Sequence, residues 1–137
     1  MTRHQMRESA FLLTFERIFN DSPMEEILEL ARECETVEVD DRVEALFRGV
    51  DEKKELLDEE IGKYLKNWTI QRISKVSLAM LRVAMYEILF VDDMETDIVI
   101  SEAVKITQDY TGKDDVSFVN GVLSSIAKAL PGGKAEA

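Results

Sequence analysis

The sequence predicts an all-α protein of six to seven helices in two packed helical subdomains. Apolar residues recur at helical spacing along most of the 137 residues, and only two prolines and six glycines interrupt them. No segment shows sustained period-2 alternation with turn signals on both sides. Residues 97–100 come closest to a strand because they are β-branched, but a lone strand would have no pairing partner.

The first two predicted helices lie on either side of a turn at residues 20–23. The first covers residues 4–20, and its apolar stripe is formed by Phe11, Phe15, Ile18 and Phe19. The second begins with Ser22 as its N-cap and Pro23 in its first turn. Its buried side is formed by Ile27, Leu28, Leu30 and Ala31. The turn thus ends the first helix and opens the second.

A long third helix is predicted from an N-cap at Asp40 or Asp41 to Trp68. Its apolar positions share one face and are Val43, Leu46, Phe47, Val50, Leu57, Ile61, Leu65 and Trp68. The pattern continues through Gly49, where a break or bend is possible but not required. We therefore expect a long third helix with Trp68 among the apolar positions of its stripe.

Residues 76–91 are apolar on every side of a helical wheel, which is typical of a central, buried helix. Arg82 and Glu87 within it must therefore emerge at its ends, form pairs or line a contact. A further helix is predicted at residues 98–110, with Val99, Ala103, Ile106 and Tyr110 in line. Gly112 is placed to end that helix and Ser117 to cap the last one, which stops at Pro131.

These elements predict one domain over residues 1–131. We expect an N-terminal half of about residues 1–68, a C-terminal half of about 69–131 and a disordered tail at 132–137. No secretory signal is visible, and the most apolar stretch is too short and too charged to span a bilayer. We expect a cytoplasmic protein without a membrane partner.

Charge is distributed unevenly along the chain. The formal net charge is −11, yet residues 61–86 hold five basic side chains and no acidic one. These five are Lys63, Lys66, Arg72, Lys75 and Arg82. The overall acidity argues against indiscriminate polyanion binding. It permits a localised anionic ligand, because distant charges are screened beyond about 8 Å at physiological salt.

The sequence predicts no catalytic residue, no cofactor and no metal site. A glycine-rich phosphate loop, a serine elbow and a zinc-type cluster of His and Cys are all missing from it. Cys34 and His4 are the single cysteine and histidine and lie far apart. The acidic turn at residues 92–97 lacks the spacing and the central glycine of a calcium loop. Binding is therefore a better candidate function than catalysis.

Two groups of residues are candidates for nucleic-acid binding. Arg3, His4 and Arg7 cluster at the start of the first helix, where free backbone N–H groups favour anions. Phe118, close to Lys113, lies off the apolar stripe of the last helix and would offer a stacking surface for unpaired bases. Each group has an ordinary alternative: an exposed terminal turn for the first, and a peripheral core phenylalanine for the second.

Four segments resemble the NusB family of bacterial transcription antitermination factors. They are MTRHQMRESAFLLTFE at the N-terminus, RISKVSLAMLRVAMYEI at 72–88, IVISEAVKITQDYTG at 98–112 and FVNGVLSSIA at 118–127. The resemblance extends over essentially the whole chain, and the combination of segments is specific. It implies an all-helical fold of two three-helix-like subdomains.

The resemblance also implies partners and site residues. Family members bind single-stranded boxA RNA of ribosomal RNA leaders as a heterodimer with a small-subunit ribosomal protein, NusE. The complex joins the elongating RNA polymerase and suppresses premature termination. The implied RNA-contacting residues are Arg3, Arg7, Tyr64, Lys113, Asp114, Asp115 and Phe118. The implied protein-partner residues are Phe15, Phe19 and Ser77.

Together these readings lead us to expect that the N-terminal arginines and Phe118 meet on one face of the helical body. Arginine would then bind phosphate while the ring stacks on a base. Two alternatives stay open. The chain could be a stand-alone ribosomal RNA-binding module without antitermination activity, or a helical protein–protein adaptor or homodimer.

Overall fold

The computed structural model describes residues 1–35 and 37–130, and within them it contains seven α-helices and no strand. The helices are α1 (Arg3–Ile18), α2 (Met24–Cys34), α3 (Asp41–Glu52), α4 (Lys54–Gly62), α5 (Lys75–Phe90), α6 (Thr96–Tyr110) and α7 (Lys113–Ala129). The all-α prediction is confirmed. The predicted tail at 132–137 lies outside the described residues.

Helix α5 is the centre of the molecule. It packs against α1, α3, α4, α6 and α7, and its side chains are buried on nearly every side, as its apolar composition predicted. Ser74 caps it by accepting a hydrogen bond from the Ser77 N–H. Its two buried charged residues are paired, because Arg82 bonds Asp58 of α4 and Glu87 bonds Arg7 of α1. The neighbouring helices are thus held to α5 by apolar contact and by charge.

Two apolar clusters form the core of the part of the chain that the structure describes. The larger one draws residues from α1 and from α3 through α7, so it joins helices of both predicted halves. The smaller one lies between α1, α2 and α3 and consists of Leu13, Ile27, Leu28, Ala31, Val43 and Phe47. Leu30, predicted for the buried side of α2, is instead 52% exposed. Helix α2 therefore attaches to the body through the smaller cluster.

The predicted long third helix is wrong in its length. It divides at Lys53 into α3 and α4, and α4 ends at Gly62, so Trp68 lies in the following irregular segment. The break lies at Lys53, whose backbone leaves the helical conformation at φ −95° and ψ 8°, and both α3 and α4 pack against α5. The residues of the predicted stripe are buried as far as Leu65, whereas Trp68 is 54% exposed.

The helix starts agree with the predictions in some places and differ in others. Asp40 caps α3 as predicted, by accepting from the N–H groups of Arg42 and Val43 at 3.0 and 2.9 Å. Ser22 does not cap α2, because its side chain makes no hydrogen bond to the first turn of that helix. Its backbone carbonyl instead accepts a hydrogen bond from the Arg17 guanidinium. The short connection from α1 is thus held by Arg17 instead of by a serine cap.

The last helix begins at Lys113, one turn earlier than the predicted cap at Ser117. Asp114 and Asp115 fall in its first turn, where negative charge is favoured by the helix dipole. Asp115 also accepts the Thr111 hydroxyl at 2.6 Å, which ties the end of α6 to the start of α7. Residues 113–116, which a cap at Ser117 would leave outside the helix, are therefore helical.

Helix α6 packs with α7 on one side of α5 and reaches α1 through its last residue. Val99, Ala103 and Ile106 are buried as predicted, but Tyr110 is partly exposed at the edge of the core. Its ring lies 5.4 Å from that of Phe11, and its hydroxyl donates to Glu8 at 2.7 Å. Burial and this hydrogen bond raise the pKa of Tyr110 to about 12.

Gly49 is required by the close approach of α3 to α5. A Cβ at this position would lie 2.2 Å from the Tyr86 hydroxyl oxygen and 2.4 Å from its Cζ. Real atoms do not approach so closely, so any side chain here must displace the Tyr86 ring. The glycine is thus explained by packing and not by a bend, since α3 continues past it.

Gly49→Ala should destabilise the fold relative to Gly121→Ala by about 1–3 kcal/mol. Both glycines lie inside helices, but a Cβ at Gly121 meets nothing within 4 Å. Alanine at 121 should therefore add only its helix propensity and raise stability slightly. Urea unfolding of both variants measures the difference. Equal stability of the two variants would show that Tyr86 moves aside without cost.

Candidate nucleic-acid interface

An open cavity of about 400 Å³ lies where the segment before α5 meets the start of α7. Its lining combines aromatic, cationic and acidic side chains, and we call it the Trp68–Phe118 cleft. The lining residues are Trp68, Arg72, Ile73, Ser74, Asp114, Asp115 and Phe118. Three of the seven were predicted as RNA contacts: Asp114, Asp115 and Phe118.

The two rings of the cleft meet edge to face. The Trp68 and Phe118 centroids are 6.3 Å apart and the ring planes cross at 75°. Trp68 is largely exposed, whereas Phe118 is half-buried and packs against the larger core cluster. The inference that Phe118 lies off the buried stripe of its helix is confirmed. An edge-to-face pair leaves aromatic surface open to a further planar group.

Asp115 forms one wall of the cleft and is held by three hydroxyl groups. Thr111, Ser74 and Ser77 donate to its carboxylate at 2.6, 2.7 and 2.9 Å. Burial opposes ionisation, but these hydrogen bonds outweigh it and hold the pKa of Asp115 below its usual range. The bonds fix the start of α7 against the start of α5.

Ser77 is fully buried beneath this network, which argues against its predicted role on the protein-partner surface. Its hydroxyl is committed to Asp115, and its N–H to the Ser74 cap. The sequence could not reveal this, because the residue lies near the start of a helix whose exposure depends on where α7 packs. Ser77 instead stabilises the wall of the cleft by donating a hydrogen bond to Asp115.

The basic residues of segment 61–86 divide into two groups. Lys63 pairs with Glu60 at 2.9 Å and Arg82 with Asp58 at 2.7 Å. Within the described residues, the other three cations of this segment make no ion pair, and neither does Lys113 at the start of α7. These four are Lys66, Arg72, Lys75 and Lys113. Of these four, Arg72 lines the cleft, so an unpaired cation is available there although the chain as a whole is acidic.

Tyr64 lies in the turn after α4 rather than on the third helix where it was predicted. It is half-buried and packs against the larger core cluster, and it is not among the residues that line the cleft. Its position follows from the end of α4 at Gly62.

Arg7 is only 2% exposed, which argues against the predicted contact between its side chain and RNA. Its Nε donates to both carboxylate oxygens of Glu87, at 2.8 and 3.0 Å. A guanidinium bound in this way inside the protein is not available to a phosphate. Arg7 instead joins α1 to α5.

Arg3 is exposed and lies near the opposite end of α5 from Phe118. Its Nη1 contacts the Met94 sulfur at 3.1 Å, in the loop that follows α5. Asp115 by contrast docks at Ser77, ten residues before Glu87, which corresponds to about 15 Å along the helix. Arg3 and Phe118 therefore lie near opposite ends of α5 and are not side by side, and of the two N-terminal arginines Arg3 alone is exposed.

Phe15 and Phe19 form a second aromatic surface at the end of α1. Their ring centroids are 5.2 Å apart with planes crossing at 68°, and Phe19 is 65% exposed. Phe15 is half-buried against the larger core cluster. The pair is accessible to a partner, in contrast to Ser77.

The described residues contain no group of three or more His, Cys, Asp or Glu side chains that could hold a metal ion. None of the helices described is long and apolar enough to cross a membrane. With this fold and an open cleft of aromatic and cationic side chains, the chain is in the class of all-helical binding proteins.

Comparison with known proteins defines the group within that class. A NusB family model matches residues 4–128, so the chain belongs to the NusB family. The transcription antitermination protein NusB of Oceanobacillus iheyensis is 38% identical over 126 residues, which cover 92% of this chain and 98% of the relative. The protein of the same name from Clostridium botulinum is 37% identical over 142 residues, which cover 92% and 99%.

Solved structures agree with this assignment. T. maritima NusB superimposes with a TM-score of 0.80 at 33% identity, covering 93% of this chain and 92% of that one. A chain from the crystal structure of antitermination factors NusB and NusE in complex with dsRNA gives a TM-score of 0.81 at 27% identity, covering 93% and 97%. The resemblance inferred from the sequence is confirmed.

Sequence reasoning missed Trp68 as a surface residue, although it singled out the basic segment that contains Arg72. The helical spacing continues to Trp68 and therefore predicted a buried position. One signal against it was present: the preceding Asn67 and following Thr69 are weak helix formers.

Arg7→Ala should destabilise the protein by about 3–5 kcal/mol, because it removes the cation that faces Glu87 in a buried site. Arg3→Ala is the matched control and should change stability by less than about 0.5 kcal/mol, because Arg3 is exposed. Chemical unfolding of the two variants measures both values. Equal losses of stability in the two variants would show that the buried Arg7–Glu87 ion pair contributes no more than the exposed Arg3.

Asp115→Asn should make stability less dependent on acid pH. The pKa of Asp115 is lower in the folded protein than the ordinary value of 3.8, so the folded state binds fewer protons. Its contribution to stability is present above that value and is lost as pH falls through the folded pKa. The stability difference between the native chain and Asp115→Asn should therefore shrink between about pH 6 and about pH 3.

Thermal unfolding across this pH range provides the measurement. Asp114→Asn is the control, because the exposed Asp114 carboxylate makes no hydrogen bond within the described residues. A constant difference between the native chain and Asp115→Asn at every pH would contradict the role given to the three hydroxyl groups.

Proposed function

We propose that this chain is an RNA-binding transcription antitermination factor. It binds boxA-type single-stranded leader RNA together with the small-subunit ribosomal protein NusE. The complex joins the elongating RNA polymerase and supports ribosomal RNA transcription. The observation that carries the proposal is the Trp68–Phe118 cleft, which combines open aromatic surface with the unpaired Arg72 in a member of the NusB family.

The chemistry of the cleft suits a single strand of RNA. Lysine and arginine bind phosphate, and rings stack on unpaired bases with about 1–3 kcal/mol per base. The remaining surface is acidic, which disfavours adhesion to bulk RNA and leaves the cleft as the favourable place of contact. The related complex of NusB and NusE contains dsRNA, so the preference for a single strand is part of the proposal.

Among the residues implied by resemblance, the proposal retains Arg3, Lys113, Asp114 and Phe118 as direct contacts, because all four are at least partly exposed. Tyr64 is retained as an RNA contact outside the cleft, since it is half-buried and does not line the cavity. Arg7 and Asp115 act indirectly by fixing α1 and α7 against α5. A strand that touches both Arg3 and Phe118 would follow α5 for much of its length of about 24 Å.

The partner surface is proposed at the Phe15–Phe19 pair. Exposed aromatic residues are typical of the anchors of protein interfaces. The acidic surface of the chain would attract a basic ribosomal protein and speed its association.

The proposed role requires neither catalysis nor a cofactor, and it places the protein in the cytoplasm where transcription takes place. Binding energy from RNA and from the partner would be sufficient for it. The chain would thus act as a non-enzymatic factor.

Titration of boxA-type RNA with and without NusE tests the proposal. We expect a large gain in affinity with the partner, because the acidic chain alone provides few cations. Phe19→Ala should abolish the gain while the affinity of the isolated chain for RNA stays the same. Leu30→Ala is the matched control, since Leu30 is an exposed apolar residue on α2. No gain with NusE would contradict the proposed heterodimer.

The same reagents distinguish the alternatives. A homodimer or adaptor would show a doubled mass or protein binding in solution without RNA affinity. A ribosomal RNA-binding module without antitermination activity would bind RNA but fail to promote read-through of a terminator in transcription. The favoured function requires both RNA binding and read-through.

A further inference from the structure

We infer that the Trp68–Phe118 cleft takes up one unpaired RNA base, with Trp68 as its stacking surface and Arg72 as the ligand of the adjoining phosphate. This inference rests on the proposed function and goes further by assigning two residues that the family resemblance did not supply. It also states which part of a nucleotide enters the cleft.

The charges of the cleft favour a base inside and a phosphate outside. Asp114 and Asp115 line it, and a phosphate between them would meet two carboxylates. A base carries no net charge and can enter without that repulsion. Arg72 lines the same cleft, is exposed and makes no ion pair within the described residues. A phosphate of the same nucleotide can therefore bind Arg72 while its base lies inside.

The exposure of Trp68 supports its role as the stacking surface. Indole is the largest aromatic side chain, yet more than half of this one faces solvent, beside a cavity of about 400 Å³. Phe118 contacts Trp68 edge to face and limits its rotation. Ile73, which is 5% exposed and belongs to the larger core cluster, forms an apolar floor. The ring is thus positioned by the core but not covered by it.

One side of the cleft is fixed in position before any ligand binds. The carboxylate of Asp115 joins the start of α7 to Ser74 and Ser77 at the start of α5, whereas Trp68 and Arg72 lie on the segment that precedes α5. A site that is already ordered loses less conformational entropy on binding. Asp115 is therefore a positioning residue, whereas Trp68 and Arg72 would touch the RNA.

The chain contains one tryptophan, so its intrinsic tryptophan fluorescence reports on Trp68 alone. Titration of the isolated chain at low salt with a boxA-type oligonucleotide should quench this emission as the base stacks. Inorganic polyphosphate, which carries the charge without bases, should leave the emission nearly unchanged. Equal quenching by both polymers, or no quenching while labelled RNA is seen to bind, would overturn the inference.

Variants provide a second, independent measurement. Trp68→Leu should weaken RNA binding about 5- to 150-fold, the range that corresponds to the loss of one stacked base. Trp68→Phe should retain most of the affinity because a ring remains. Phe90→Leu is the control, since Phe90 is an exposed aromatic at the opposite end of α5. Equal affinities of Trp68→Leu and the native chain would overturn the stacking role.

Arg72→Ala should reduce the salt dependence of binding by about one phosphate contact. Circular dichroism and urea unfolding check that each variant is folded, and the fluorescence titration of the native chain needs no variant. If RNA binds with NusE but neither Trp68 nor Arg72 matters, this inference fails and the proposed function stands. If no RNA binds with or without NusE, both fail.

Discussion

The fold depends on burying α5 on all sides. Each of its apolar faces requires a neighbour, and five of the other six helices pack against it. Its two buried charges must be neutralised within the protein, so they are paired with Arg7 and Asp58 on neighbouring helices. Burial of this helix therefore determines which groups of the remaining chain are free to bind a ligand.

That constraint explains why some positively charged side chains form structural ion pairs whereas others stay exposed to solvent. Arg7 faces α5 and Arg82 belongs to it, and both form structural ion pairs. Arg3 and Arg72 lie beyond the ends of the helix and stay exposed. Proximity in sequence is thus a poor guide to function here, because Arg3 and Arg7 are one helical turn apart and face opposite environments.

The same contacts link the core to the proposed binding surface. The carboxylate of Asp115 joins the N-terminal ends of α5 and α7, so the start of α7, which carries Phe118, is held in place beside the segment that carries Trp68. An aromatic pair at this junction is well placed to bind a base with little rearrangement. The acidic remainder of the chain would direct RNA to that junction and attract a basic partner elsewhere.

The sequence by itself determined the helical class, the central position of α5 and the family, because these follow from apolar spacing and from motifs that are local in the chain. It also identified Phe118 as a partly exposed ring. Only the tertiary structure decided that Arg7 and Ser77 are buried, that Trp68 is exposed, and that Arg3 and Phe118 lie at opposite ends of α5. Those outcomes depend on which helices meet, and contacts between distant residues leave no periodic signal in a single sequence.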